Sequence, residues 1–553
     1  MCFYIFKNQS IWKKYDIPTK MIKNEIMSIF NKCDFEITNH EQATSILSNA
    51  LSQTQTYLKK RITTKNSYTI FLKLYYIFDE IMNTYLNEKK ERHEILEKGI
   101  RNHAFLNLFE SNRNVEKTII DACNIWIENT ILFQSDLNIK SINLKRDFVL
   151  DKKLFINLYI YGSISKCLSL LNLSNQLKDE YKYTGVKINA NSEELIEIIK
   201  YHPYVYFNTL VAGNQSIFVD GNELKSVNTT AFGKGFLQHT NIDFLCFIAG
   251  LVKCKSDLFK NDMLAFTVLK KDVLIHKIES YTNPKIDGQS FCENFILTKD
   301  RLSSQLRNGE QLLWKMGVNE FRHELRPFIE LNDQNILISC AALEQSINLW
   351  HNYYINGGKC YTNESPNDSI ISGLEIRNQD LSNKLVDKII EILDKNFTKS
   401  FCKVDVDYET IFGIKKDENG HKINYGDYDI VFFDNERMEL FLIESKYFSD
   451  SFNTSSMIND YKKMFKPKGY LDHCLKRYEL VLQEPNMLKK YIGSNSSITL
   501  HMLFISSKPL EIELQDKSGT VTFLSLSIFE DYINKKLYDG ETGEINIYST
   551  IKI

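Results

Sequence analysis

The sequence predicts a multidomain chain of mixed α+β and α/β class. It divides into a mostly helical region over 1–200, a mixed α/β region over 201–362 and an α/β domain over 370–553. Three observations carry that expectation. Phe71, Leu74, Tyr75, Phe78, Met82 and Tyr85, and then Val115, Ile119, Cys123 and Trp126, recur at helical spacing, the stripe of amphipathic helices in a bundle. β-rich runs punctuated by turn residues enter after about residue 200. The stretch Gly426–Phe448 places two apolar runs around the polar Asp434-Asn435-Glu436-Arg437, which reads as a β-hairpin.

Composition narrows the class. With 553 residues, 25% charged and 43% hydrophobic, the chain has the make-up of a folded protein of several domains. Only 8 Pro and 22 Gly favour long regular elements over loops. The net charge of −2 means that any polyanion-binding surface is local. Eleven scattered cysteines without a Cys-x-x-Cys pair suggest buried thiols in a reducing compartment. No uninterrupted apolar run of about 18 residues and no signal-peptide pattern stand out, so a cytoplasmic protein without a membrane partner is expected.

In the first region, Leu154 to Tyr161 is a buried segment interrupted by Asn157, and Ser192-Glu193-Glu194 resembles a helix start running to Lys200. In the second, Tyr204 to Val211 is β-like and Asp220-Gly221 is a hairpin cue. Gly233-Lys234-Gly235 lacks the rest of a phosphate loop and is expected to be a turn. Arg326–Leu331 and Asn335–Ile338 read as paired strands. Ala341–Ile355 reads as a helix closed by Gly357-Gly358. The charged Phe321–Arg326 is expected at a solvated or ion-paired surface. The polar stretch Cys360–Asp380, which contains Asn363-Glu364-Ser365-Pro366-Asn367-Asp368, is the candidate linker.

The hairpin carries the chemistry. The midpoint between Asp429 and Glu444 falls inside its turn, so closure sets the two opposite each other. Directly opposed residues have Cβ atoms about 4.5–5.5 Å apart, close enough to share one cation. Lys446 lies two residues beyond Glu444 and points to the same face. Two carboxylates that converge need a compensating charge, and Mg²⁺ or Mn²⁺ supplies it while polarising a phosphoryl oxygen. Lys446 would hold or help deprotonate the attacking water.

Asp429 followed by Glu444-Ser445-Lys446 resembles the core motif of the PD-(D/E)xK nuclease superfamily, and Gly426-Asp427-Tyr428-Asp429 is similar to its Gly-Asp-x-Asp form. The resemblance covers the C-terminal third. It implies a restriction-endonuclease-like α/β nuclease domain with a helix before the first core strand, then the hairpin, a helix and a further strand. It also implies Asp429, Glu444 and the Ser445 carbonyl as ligands of Mg²⁺ or Mn²⁺, and Lys446 as the water-orienting base. Asp427 and, from the preceding helix, Asp387 or Glu391 are accessory acids by the same resemblance. The substrate it implies is nucleic acid, DNA by preference.

The 380–396 stretch fits that preceding helix, Phe401–Val406 the first strand and 469–483 the helix after the hairpin. Between 455 and 490 eight basic residues face four acidic ones. Lys462, Lys463, Lys466, Lys468, Lys476 and Arg477, with interleaved tyrosines, form the candidate nucleic-acid surface. The alternative is a catalytically silent nuclease fold kept for binding or scaffolding. A long N-terminal region on such a domain also suits a prokaryotic defence or restriction effector, with homodimerisation or a regulatory partner acting through that region.

Overall fold

A computed structural model describes residues 10–63, 67–97, 103–133, 150–174, 183–200, 225–260, 265–281, 286–305, 319–331, 334–361, 368–449, 460, 463–464, 466–507, 521–535, 538–539, 543–544 and 550–553. The expected strand over 204–211, the hairpin at 217–221 and residues 362–367 of the expected linker lie outside these residues; from Ser369 onward the expected linker is helix.

The N-terminal half is largely helical: α1 (Thr19–Phe30), α2 (His40–Ile62), α3 (Ser67–Glu97), α4 (His103–Phe133) and α5 (Lys152–Ser174). Helix α5 is long and apolar enough by composition to cross a membrane. It is apolar all round because it is the inner helix of the bundle, with Phe155, Ile156, Leu158 and Ile160 almost fully buried. Asn157 breaks its apolar run because it donates a 2.8 Å hydrogen bond to the buried carboxylate of Glu25. The region also holds a small antiparallel sheet of β1 (Asp34–Ile37), β2 (Tyr183–Asn189) and β3 (Ile196–Lys200). The helix expected after Ser192 is therefore a turn into β3. The Ile196-Glu197-Ile198 alternation pairs with β2 and outweighs the capping pattern.

The middle region carries α6 (Ala231–Thr240), α7 (Phe244–Leu258), α8 (Lys271–Tyr281), α9 (Gly288–Phe295) and α10 (Cys340–Asn356) around a four-stranded sheet. Its order is β4 (Phe266–Lys270), β7 (Asn335–Ser339), β6 (Phe328–Glu330) and β5 (Ile296–Leu297). The β6–β7 pair forms as expected, and Gly357 caps α10 at φ 68°. One face of the sheet, with Phe266, Ile329 and Leu337, joins the core of the N-terminal helices. The other, with Phe328, Ile336 and Ile338, joins the core of α6–α10.

Gly233-Lys234-Gly235 is not a turn; it lies inside α6. A Cβ on Gly235 would sit 2.0 Å from the Ser369 carbonyl oxygen, and one on Gly233 2.2 Å from that of Val227. Gly235 allows close backbone approach to α11 (Ser369–Asn396), which begins well before the expected 380, and Gly233 allows close approach to the Val227–Thr229 turn that precedes α6. Gly235→Ala is expected to destabilise the chain by about 1–3 kcal/mol through overpacking, measured by urea unfolding. A neutral effect would mean that this crossing is not tight.

Phe321–Arg326 is not a surface. Arg322 is 1% and His323 0% exposed. His323 bridges the Tyr75 hydroxyl (2.8 Å) and the side-chain Oδ1 of Asn124 (2.7 Å), and its backbone N–H donates to Glu128 at 2.6 Å. The charged run thus knits the N-terminal helices to the middle region. Burial pushes the Glu128 carboxyl up to about 8, against the His323 N–H, which favours its anion. Its native pKa exceeds the unfolded one, so the folded chain holds a proton that the unfolded chain releases. The associated stability is present below the ordinary carboxylate range and is lost as pH rises toward 8. Glu128→Gln is expected to flatten the fall in unfolding free energy between about pH 5 and 8; an unchanged pH slope would contradict this.

The C-terminal part is a mixed sheet ordered β12 (Thr522–Ser525), β11 (Thr499–Ser506), β10 (Glu439–Lys446), β9 (Asp427–Asp434) and β8 (Lys399–Asp407), with a terminal strand Thr550–Lys552 paired to β11. Strands β8, β9 and β10 are antiparallel, whereas β10, β11 and β12 are parallel. In chain order α11 precedes β8. Helices α12 (Tyr470–Gln483) and α13 (Pro485–Ile492) join β10 to β11, and α14 (Leu526–Ile533) follows β12. One face, with Ile430, Phe432, Phe441 and Ile443, packs on Leu385, Ile389 and Leu393 of α11. The other, with Val431, Phe433, Leu440 and Leu442, shares a core with Leu471, Cys474 and Leu480 of α12.

Candidate functional site

The hairpin register is the one the turn predicts. Asp434 pairs with Glu439, Phe432 with Phe441 and Ile430 with Ile443. One step further sets Asp429 opposite Glu444, and there the ladder ends. The Asp434 carboxylate closes the other end, accepting the Glu436 and Arg437 N–H groups at 2.8 and 3.0 Å. At the open end the strands fork, and polar side chains fill the fork on the α12 face.

The Asp429 Oδ2 atom accepts the Ser445 N–H at 2.6 Å, the Ser445 hydroxyl at 3.3 Å and the Lys446 ammonium at 3.1 Å. Lys446 Nζ also lies 2.5 Å from Oε1 of Glu444. The second oxygen of Glu444 pairs with Nη2 of Arg477, whose Nη1 donates to the Asp427 carbonyl. The Arg477 guanidinium stacks 5.3 Å above the Tyr428 ring, and the Lys446 ammonium sits 5.5 Å over Tyr470. Glu444 is 10% and Arg477 3% exposed by side chain, against 19% for Asp429 and 25% for Lys446. Lys446 and Asp429 therefore form the open side of the cluster.

Burial and then the Glu444 charge push the Asp429 carboxyl up, against the pull of Lys446 and the Ser445 N–H. For Lys446 burial acts downward, but Glu444 and Asp429 outweigh it and hold the ammonium well above the usual lysine range. In this arrangement the Lys446 ammonium lies between the two carboxylates.

Several expected residues lie elsewhere. Asp387 and Glu391 are exposed on α11, which packs on the opposite face of the sheet; Glu391 pairs with Lys388 at 2.5 Å. Neither reaches the fork. Asp427 is exposed, and its described link to the cluster runs through its backbone carbonyl. The described contacts of Ser445 within the cluster come from its N–H and hydroxyl, not its carbonyl.

The basic surface contracts as well. Lys462 lies outside the described residues. Arg477 is interior, and Lys476 is paired with Asp472 at 2.9 Å. Lys463, Lys466 and Lys468 remain exposed, a few residues before Tyr470. Tyr470 is one of the interleaved tyrosines of the expected surface, whereas the place of Tyr428 against Arg477 and the buried role of Arg477 were missed in the sequence. The signal was present: Leu471, Cys474, Arg477 and Leu480 recur every three residues on the buried face of α12.

Whether a divalent ion suits these residues is answered by Lys446. Its ammonium is within 3.1 Å of one carboxylate and 2.5 Å of the other, so both acids already converge on one cationic centre. Two carboxylates, with water and phosphate oxygens completing the shell, are a usual protein share of a magnesium site. No group of three or more His, Cys, Asp or Glu residues is placed to hold a metal among the described residues. Comparison with protein-family models, curated proteins and solved structures finds no match.

Proposed function

We propose that the C-terminal part is a metal-dependent nuclease of the restriction-endonuclease-like kind that hydrolyses phosphodiester bonds, with DNA as the favoured polymer. The observation that carries the reading is the convergence of Asp429, Glu444 and Lys446 on one half-open point where β9 and β10 separate. The order helix, strand, hairpin, helix, strand around that point supports it.

Asp429 and Glu444 would hold Mg²⁺ or Mn²⁺, which when bound polarises a phosphoryl oxygen and acidifies a bound water. Lys446 yields the shared position and turns its charge toward the anionic substrate, where it offsets developing negative charge. Tyr470 offers an aromatic face beside it. Incubating the full chain with supercoiled plasmid, linear duplex, single-stranded DNA and RNA, in Mg²⁺, Mn²⁺ or EDTA, tests the activity and names the polymer.

Lys463, Lys466 and Lys468 would take the backbone of that polymer. Replacing all three with glutamine is expected to lower the salt slope of duplex binding by about 2–3, read from binding isotherms across a salt series. An unchanged slope would move the binding surface elsewhere.

One observation favours a second reading, a silent nuclease fold used for binding. Lys446 and Arg477 already neutralise both carboxylates, so the cluster is satisfied without a metal. The reading of a defence or restriction effector, regulated or dimerised through the N-terminal region, rests on architecture. Helix α11 supports such coupling, because its first half packs on α6 and its second half on the C-terminal sheet.

A further inference from the structure

The residue of the cluster that the nuclease reading leaves without a task is Arg477. It is almost wholly buried, and besides a contact with the Cys474 sulfur at 3.6 Å it makes two engagements with the strands of the fork. One guanidinium nitrogen holds Oε2 of Glu444, and the other holds the Asp427 carbonyl at the start of β9. It therefore spans the fork from the acid on β10 to the backbone of β9. The Tyr428 ring covers one of its faces. Gly426, at φ 77°, brings the chain past Nη1, where even a Cβ would stand 3.8 Å away.

Two consequences follow from charge and geometry. Glu444 has one oxygen committed to Arg477, so only Oε1 is turned toward Asp429 and Lys446. The four side chains also balance: two carboxylates against one ammonium and one guanidinium. Lys446 is the more exposed cation and can leave; Arg477 is anchored at both ends and stays. A divalent ion that replaces Lys446 therefore meets a site with one fixed positive charge beside it.

We propose that Arg477 is a positioning residue that keeps Glu444 one-toothed, through Oε1, and holds down the affinity of the resting site for a divalent cation. It touches neither substrate nor metal. Its fixed charge disfavours a bare ion, so the site fills most readily when an anionic polymer brings further negative charge. The proposal rests on the reading that Asp429 and Glu444 hold a metal.

The test is Mn²⁺ binding to the full chain without nucleic acid, followed by electron paramagnetic resonance of the free ion and by the Mn²⁺-dependent shift in melting temperature. Arg477→Gln removes the fixed charge and frees Oε2. It is expected to bind Mn²⁺ about tenfold or more tightly than wild type, and added Mn²⁺ is expected to restore the melting temperature that the variant loses. Arg477→Lys keeps the charge and is expected to stay within about threefold of wild type, which provides the comparison should the glutamine variant fold poorly. A merely structural arginine would give variants of lower stability whose Mn²⁺ affinity is unchanged or weaker. That result, or tenfold tightening in the lysine variant, would overturn the proposal. If wild type binds Mn²⁺ and cleaves but Arg477→Gln binds no tighter, the inference fails alone. If no protein takes up Mn²⁺ and none cleaves, the nuclease reading fails and the inference with it.

Discussion

Lys446→Ala is expected to lower cleavage by about a thousandfold, because it removes the only charge in the described cluster that is free to follow the substrate. The same change leaves Asp429 and Glu444 facing each other half-buried without their shared cation. The metal-free variant is therefore expected to lose about 2–3 kcal/mol of stability, and Mg²⁺ to return part of it. The two effects separate in one experiment: single-turnover cleavage and urea unfolding, each with and without metal. Cleavage within tenfold of wild type would remove Lys446 from the mechanism. A stability loss indifferent to metal would mean that no metal occupies the position Lys446 vacates.

Arg322→Ala is expected to be the most damaging substitution for the fold, at about 3–5 kcal/mol. Arg322 is fully buried and satisfies four partners: the Glu324 carboxylate at 3.1 Å, the Asn319 and Cys360 carbonyls at 2.9 and 2.6 Å, and the Tyr353 hydroxyl at 2.8 Å. Truncation strands a buried carboxylate and two carbonyls, each of which carries its own desolvation cost. Arg322→Lys keeps the charge but not the fork geometry, and it is expected to recover only part of the loss. Urea unfolding reads both variants, and a loss below about 1 kcal/mol for alanine would show that the network is not structural.

What the sequence made legible follows the reach of local rules. The hairpin could be read because its turn is polar, its flanks are apolar, and antiparallel pairing fixes the partner of every residue once the turn is placed. That arithmetic set Asp429 against Glu444, and the observed register agrees. Helices with strong stripes, the strand pair around Asn332-Asp333 and the strand at Phe401–Val406 were legible for the same reason. Long-range choices were not. Ser192-Glu193-Glu194 has the chemistry of a helix cap, yet β2 recruits the following residues as a strand. Gly233 and Gly235 look like a turn unless it is known that another backbone crosses there. Charged residues are the hardest case. Arg322, Arg326 and Arg477 are buried, and composition alone assigns such residues to the surface. Only the three-residue spacing around Arg477 hinted otherwise.

The same limit explains why the three hairpin residues lie together while the neighbours expected around them lie elsewhere. Motif spacing located Asp429, Glu444 and Lys446. It gave no means of telling that α11 presents Asp387 and Glu391 to solvent on the far side of the sheet. Nor did it show that Arg477 faces inward to hold Glu444 while the three exposed lysines precede it.

The measurement that bears most directly on the central claim is cleavage by wild type and by Asp429→Ala, run side by side in Mg²⁺, Mn²⁺ and EDTA on the four polymers named above. The account predicts cleavage of at least one polymer that requires metal and is absent from the variant. Cleavage that persists in EDTA, or that Asp429→Ala retains in full, would contradict it.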